Sequence, residues 1–274
     1  MVKKEDLKMT ETQLSQIVDS LSVLMLIFFI YSTIGWIWEC SLFLVKEKKF
    51  INRGFLTGPY IPIYGCGATI IFACLKNFSE YPTIIIFIMG MTFATVLEYL
   101  TAVIMENIFK VRLWEYDDMP LNFQGRICVP ASLFWGLAGI VVVRYSTPFF
   151  IKEIGIMYRD VRIIFTSCYF SIFALDVVIS FASMFNLKAK IKNIKEIEQK
   201  LIPNFEKLQE HIPGTIKENY LKNIYKLSNI SINTLSIKRI SKAFPKMKFK
   251  SETDNQIFLK IKEASKKNKK KSNK

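Results

Sequence analysis

The chain has 274 residues, is 51% hydrophobic and carries a formal charge of +15. Its mean hydropathy of +0.24 is too apolar for an ordinary soluble domain. Cys40, Cys66, Cys74, Cys128 and Cys168 stand singly in or beside apolar runs, and the one histidine is His211. That usage argues against a disulfide framework or a metal site and for reduced thiols acting as small hydrophobes.

Residues 1–19 are polar and mixed in charge. The apolar run from about 20 to 45 is too long for a cleaved signal peptide, and no small-residue cleavage site follows, so it reads as a retained first span. Further apolar runs at about 58–75, 82–109, 127–147 and 161–185 predict an all-α, polytopic transmembrane helix bundle of about five spans over 20–185. The run at 58–75 is short and opens with Gly58, Pro59, Pro62, Gly65 and Gly67. A full span is the preferred reading there, and a re-entrant segment is the alternative. Lys46, Lys48, Lys49 and Arg53 place the first loop in the cytoplasm by the positive-inside rule. The N-terminus then lies outside, the loop at 110–126 inside and the loop at 148–160 outside.

The third region, 186–274, holds 23 Lys/Arg against 8 Asp/Glu, while 1–185 holds 15 of each, so the tail carries the whole excess charge. Leu187, Ile191, Ile194, Ile197 and Leu201 predict an amphipathic helix ended by Pro203. Ile216, Tyr220, Leu221, Ile224 and Leu227 predict a second. After Ser251 the Lys/Asn/Ser-rich sequence predicts disorder. Such a tail suits an anionic inner leaflet, at about 1 kcal/mol per basic residue near the surface. Nucleic acid fits less well, because arginines and aromatics are few.

Glu39, Glu98, Glu106 and Asp176 are acids inside apolar runs. A charge at the bilayer centre costs about 3 kcal/mol on insertion scales, so such residues face the bundle interior. Under this topology all four fall in the cytoplasmic halves of their spans, with Arg53 and Arg126 coming from the two cytoplasmic loops. Glu39, Arg53, Glu98 and Arg126 are therefore expected to meet, with Glu106 and Asp176 as outer members. Ser32, Gly35 and Glu39 share one face of the first helix, and Glu98, Ala102 and Glu106 one face of the third. Trp36, Trp38, Trp114 and Tyr116 read as interfacial anchors. The competing reading makes the acids structural partners that knit the bundle.

These stretches resemble the bacterial family labelled putative type IV ABC-transporter permeases. The resemblance is carried by Gly35–Glu39 with Trp36, by Asn52-Arg53-Gly54 with Gly58-Pro59, and by Pro62-Ile63-Tyr64-Gly65. It continues through Glu98-Tyr99-Leu100, Met105-Glu106, Trp114-Glu115-Tyr116, Asn122, Gly125-Arg126-Ile127-Cys128 and Trp135-Gly136. Asp117 after Glu115-Tyr116 departs from the family's usual acid-Tyr-Ser pattern. The resemblance implies a multi-span permease working with an ATPase on another chain, and it covers about 35–136.

The sequence contains no GxxxxGK[ST], so a transport role calls for a separate ATPase subunit. No cofactor is implied, and a homo-oligomer is compatible with the chain. The alternatives are a membrane sensor or scaffold with a lipid-binding tail, and an enzyme acting on a lipid-linked substrate. Against an enzyme, the membrane region holds no histidine, GxSxG or metal-ligand cluster.

Overall fold

A computed structural model describes residues 4–74, 80–208, 235–260 and 262. Helix α1 (Lys4–Glu47) runs unbroken from the polar start through the first apolar run, and Lys48 follows it in the left-handed conformation (φ 50°) common after helix ends. Helix α2 (Pro62–Cys74) is short. Helix α3 (Thr83–Phe109) follows Pro82, whose carbonyl accepts from Ile85 and Ile86, and Lys110 (φ 59°) succeeds it. Strand β1 (Val111–Arg112) comes next, and then a hairpin of β2 (Asn122–Phe123) and β3 (Ile127–Cys128). Helix α4 (Val129–Val141), with proline in its first turn, passes through a π-helical segment (Val142–Ser146) into α5 (Thr147–Ile156). Helix α6 (Arg159–Leu208) is 50 residues long. Helix α7 (Leu235–Ala243), strand β4 (Lys248–Phe249) and a last helix, α8 (252–260), complete the described chain.

Among the described residues, four helical runs are long and apolar enough to cross a membrane: Gln13–Glu47, Thr83–Phe109, Val129–Ile156 and Arg159–Ile197. Their outer faces expose Ile, Leu, Val and Phe along most of their length, as expected of surfaces solvated by lipid rather than water. The all-α bundle is as expected, with three local differences. The fourth run continues to Ile156, so the loop expected at 148–160 shrinks to the turn at Met157–Tyr158. Pro148 is accommodated because the π-helical segment before it shifts the ladder, the Thr147 amide bonding to the Val142 carbonyl. Helix α6 runs through Pro203 to Leu208, where a helix end was expected. Residues 252–260 form a helix with Ile257 and Phe258 buried, where disorder was expected. The helix expected around Ile216–Leu227 lies outside the described residues.

The chain divides into two compact units. The first comprises residues 1–101 and 116–178. Where a full span was expected at 58–75, it has irregular backbone over 50–61 and then α2, an apolar helix of 13 residues that is shorter than the four long runs. The Ile61 amide donates to the Ser32 carbonyl (2.9 Å), and Ala68 clusters with Leu26, Ile27 and Tyr31. Helix α2 therefore runs antiparallel to α1 from the level of Ser32, roughly 10 Å along the helix from Glu39 at 1.5 Å per residue. Close approach makes this packing. A Cβ on Gly65 would collide with the Ser32 hydroxyl and the Phe28 carbonyl, and one on Gly35 with the Tyr64 ring. Gly65→Ala should cost about 1–3 kcal/mol through overpacking. A thermal midpoint in detergent equal to wild type would contradict this packing.

The second unit comprises residues 102–115 and 179–274. Strand β4 pairs antiparallel with β1 (Val111 opposite Phe249), and the Lys250 amide donates to the Lys110 carbonyl (2.8 Å). Phe109 packs edge-on against Phe181, and the Phe249 ring lies tilted against Phe258. Leu187, Ile191, Ile194, Ile240 and Met247 are also buried. Lys248–Glu115 (2.5 Å) and Lys195–Asp254 (3.1 Å) pair on its surface. The tail's apolar residues thus form a folded core with the segment that follows α3.

Candidate functional site in the first unit

Glu39, near the end of α1, lies 3.8 Å from the Arg53 guanidinium (Oε2 to Nε). Arg53 is placed by its loop. Its amide donates to the Cys40 sulfur (3.4 Å), and its guanidinium lies over the Phe43 ring (4.9 Å). Asn52 braces that loop: its Oδ1 accepts from the Trp36 indole (2.8 Å) and the Gly54 amide (2.9 Å), and its Nδ2 donates to the Thr57 carbonyl (2.8 Å). Trp36 is therefore a brace within the protein as well as an aromatic of the expected interfacial kind. Trp38 stacks on Phe134.

From Glu39 the constellation extends inward through aromatic side chains. The Tyr64 hydroxyl donates to Glu39 Oε1 (2.9 Å), and its ring meets Trp135 edge-on (5.2 Å between centroids). The Trp135 indole donates to Glu98 Oε2 (3.1 Å), and the Tyr116 hydroxyl to Glu98 Oε1 (2.8 Å). Glu98 is only 5% exposed. Each hydrogen bond to a charged group contributes about 1.5–3 kcal/mol, so two of them offset the ~3 kcal/mol of placing a carboxylate at membrane depth. No cation lies within ion-pair distance of Glu98 among the described residues. Tyr116 arrives from the segment before the β2–β3 hairpin, its amide donating to the Gly125 carbonyl (2.9 Å). Gln124 and Gly125 both adopt positive φ, as a tight hairpin turn of this hand requires. Burial and the neighbouring Glu98 carboxylate both push the Tyr116 phenol upward from its ordinary pKa, keeping it a protonated donor.

The other acids have different partners. Buried Asp176 accepts from the Thr57 amide (Oδ1, 3.0 Å), the Gly58 amide (Oδ2, 2.7 Å) and the Tyr60 hydroxyl (Oδ2, 2.8 Å), fastening α6 to the irregular loop. Glu106 belongs to the second unit, where it pairs with Arg112 (2.8 Å). Arg126 donates to Gln124 and lies over the Tyr99 ring (5.5 Å), and Tyr99 also donates to Gln124. The structure thus brings Glu39, Arg53 and Glu98 into one connected chain of contacts. Asp176 lies on the adjoining loop. Sequence reasoning looked for arginine partners and passed over Tyr64, Tyr116 and Trp135 as donors. Their recurrence within the motif stretches was the available signal. Among the described residues, no group of three His, Cys, Asp or Glu side chains could hold a metal ion.

A family model described as "Putative ABC-transporter type IV" matches residues 26–181. That range takes in Glu39, Arg53, Tyr64, Glu98, Tyr116, Trp135 and Asp176. No curated protein and no solved structure matches the chain.

Proposed function

Since the chain belongs to the family described as putative ABC-transporter type IV, we propose that this multi-pass membrane protein is the permease component of a transporter whose ATPase is a separate subunit. The observation that carries this reading is the irregular backbone over 50–61 ahead of the short apolar α2, which in this reading is a discontinuous second crossing. Irregular backbone at membrane depth persists only where protein or a water-filled cavity satisfies it, and broken helices of this kind form substrate sites in membrane transporters. Here the break adjoins Glu39 and Arg53, and its backbone is held by Asp176 and Asn52. The Arg53–Glu39–Tyr64–Trp135–Glu98–Tyr116 chain is the polar lining of the path. The protein performs no covalent chemistry in this reading.

The test is purification of the tagged chain from its native membranes and reconstitution into vesicles. An ATPase subunit should accompany it, with nucleotide hydrolysis that depends on this chain. Purification without an ATPase, together with vesicles inert to ATP, would leave the sensor or scaffold reading in its place.

The broken crossing, counted with four long spans, makes five crossings, with the N-terminus outside and the tail in the cytoplasm. Thiol labelling of intact cells should reach a cysteine placed at position 8 and miss one at 255. Reaction at both would indicate an even number of crossings. The basic tail lies against the anionic leaflet in this arrangement.

A further inference from the structure

We propose that the β2–β3 hairpin is a membrane-interface anchor, its tip inserted among the lipids at the edge of the bilayer. The hairpin joins two spans, and large apolar side chains are exposed on it beside the polar Asn122 and Gln124. Leu121 is 77% exposed, Phe123 56% and Met119 40%. Leu121 also adopts positive φ (52°), a conformation unfavourable for a bulky residue that persists only where the surroundings impose it. The Val129 amide donates to the Leu121 carbonyl (3.4 Å). Strand pairing of Asn122 with Cys128 and of Phe123 with Ile127 fixes the rest.

What covers the tip follows from what lies beside it. Val129, Leu133, Leu137 and Val141 are all exposed and recur every four residues, forming one apolar stripe along the span Val129–Ile156. A stripe at that position on a span faces acyl chains. Val129 is both its first member and the residue bonded to Leu121, so the exposed apolar surface of the hairpin continues the lipid-facing stripe without a break. An apolar patch at the end of a span lies at the depth where interfacial elements bury their apolar faces.

The test is spin labelling of the full-length, cysteine-substituted chain in vesicles, with Leu121→Cys and Phe123→Cys compared with Leu137→Cys as a lipid control and Asp117→Cys as a water control. Collision with oxygen should exceed collision with a water-soluble nickel complex at 121 and 123, as at 137 and unlike 117. Labels at 121 and 123 that behave like 117 would overturn the proposal. So would labels shielded from both reagents, which would assign the tip to a protein contact. Neither result depends on whether the protein transports anything.

Discussion

Asp176→Ala should lower the stability of the membrane protein by about 3 kcal/mol, since a donor left without its acceptor costs about 1–3 kcal/mol when buried, as the Tyr60 hydroxyl is, and less when exposed, as Thr57 is. Three donors are involved: the Thr57 and Gly58 amides and the Tyr60 hydroxyl. They belong to the irregular backbone over 50–61, which Asp176 fastens to α6. At roughly 2–4 °C per kcal/mol for a domain of 150–250 residues, the thermal midpoint in detergent should fall by about 6–12 °C. Asp176→Asn keeps one acceptor oxygen and should fall between. A midpoint unchanged in Asp176→Ala would mean that the loop is held by something other than this carboxylate.

Asp19→Ala should also be destabilising, for a different reason. Asp19 of α1 pairs with Arg162 and Arg159 of α6. Arg162 is buried, with further bonds to the Ser22 hydroxyl (3.0 Å) and the Ile154 carbonyl (3.5 Å), neither of which carries charge. Asp19 is 41% exposed while Arg162 is 9%, so water screens the pair in part, and removing the carboxylate should cost about 1–3 kcal/mol by leaving a buried guanidinium short of an acceptor; replacing both with apolar residues is often neutral. Asp19→Ala with Arg162→Met should therefore recover most of the loss. Additive losses in the double variant would show that the two side chains act independently.

The spans were legible because bilayer thickness imposes about 20 apolar residues on any crossing helix, and composition reports that directly. The carboxylates were legible as anomalies for the same reason. Their partners were not. Tyr64, Tyr116 and Trp135 have the composition of interfacial anchors, and nothing in the spacing marks them as donors to Glu39 and Glu98. Asp176 lies more than 100 residues from the loop it holds, a separation that no local pattern spans. The tail misled in a related way. Ile257 and Phe258 stand in a Lys/Asn/Ser-rich stretch whose composition suggested disorder, yet these side chains are buried. Pro203 suggested a helix end, but α6 continues through it.

The account rests on Glu39 and Glu98 forming a working site rather than a brace, and Glu39→Gln separates the two. Glutamine keeps an acceptor for the Tyr64 hydroxyl and removes only the charge beside Arg53. That pair is 3.8 Å apart, with side chains 21% and 32% exposed, so its contribution to stability is at most about 1 kcal/mol. In the reconstituted complex, ATP turnover stimulated per folded chain should drop at least about tenfold, equivalent to 1.4 kcal/mol of barrier, while the midpoint moves by no more than roughly 4 °C. Full turnover in Glu39→Gln, with a midpoint lowered well beyond that, would make the cluster a structural brace and contradict the account.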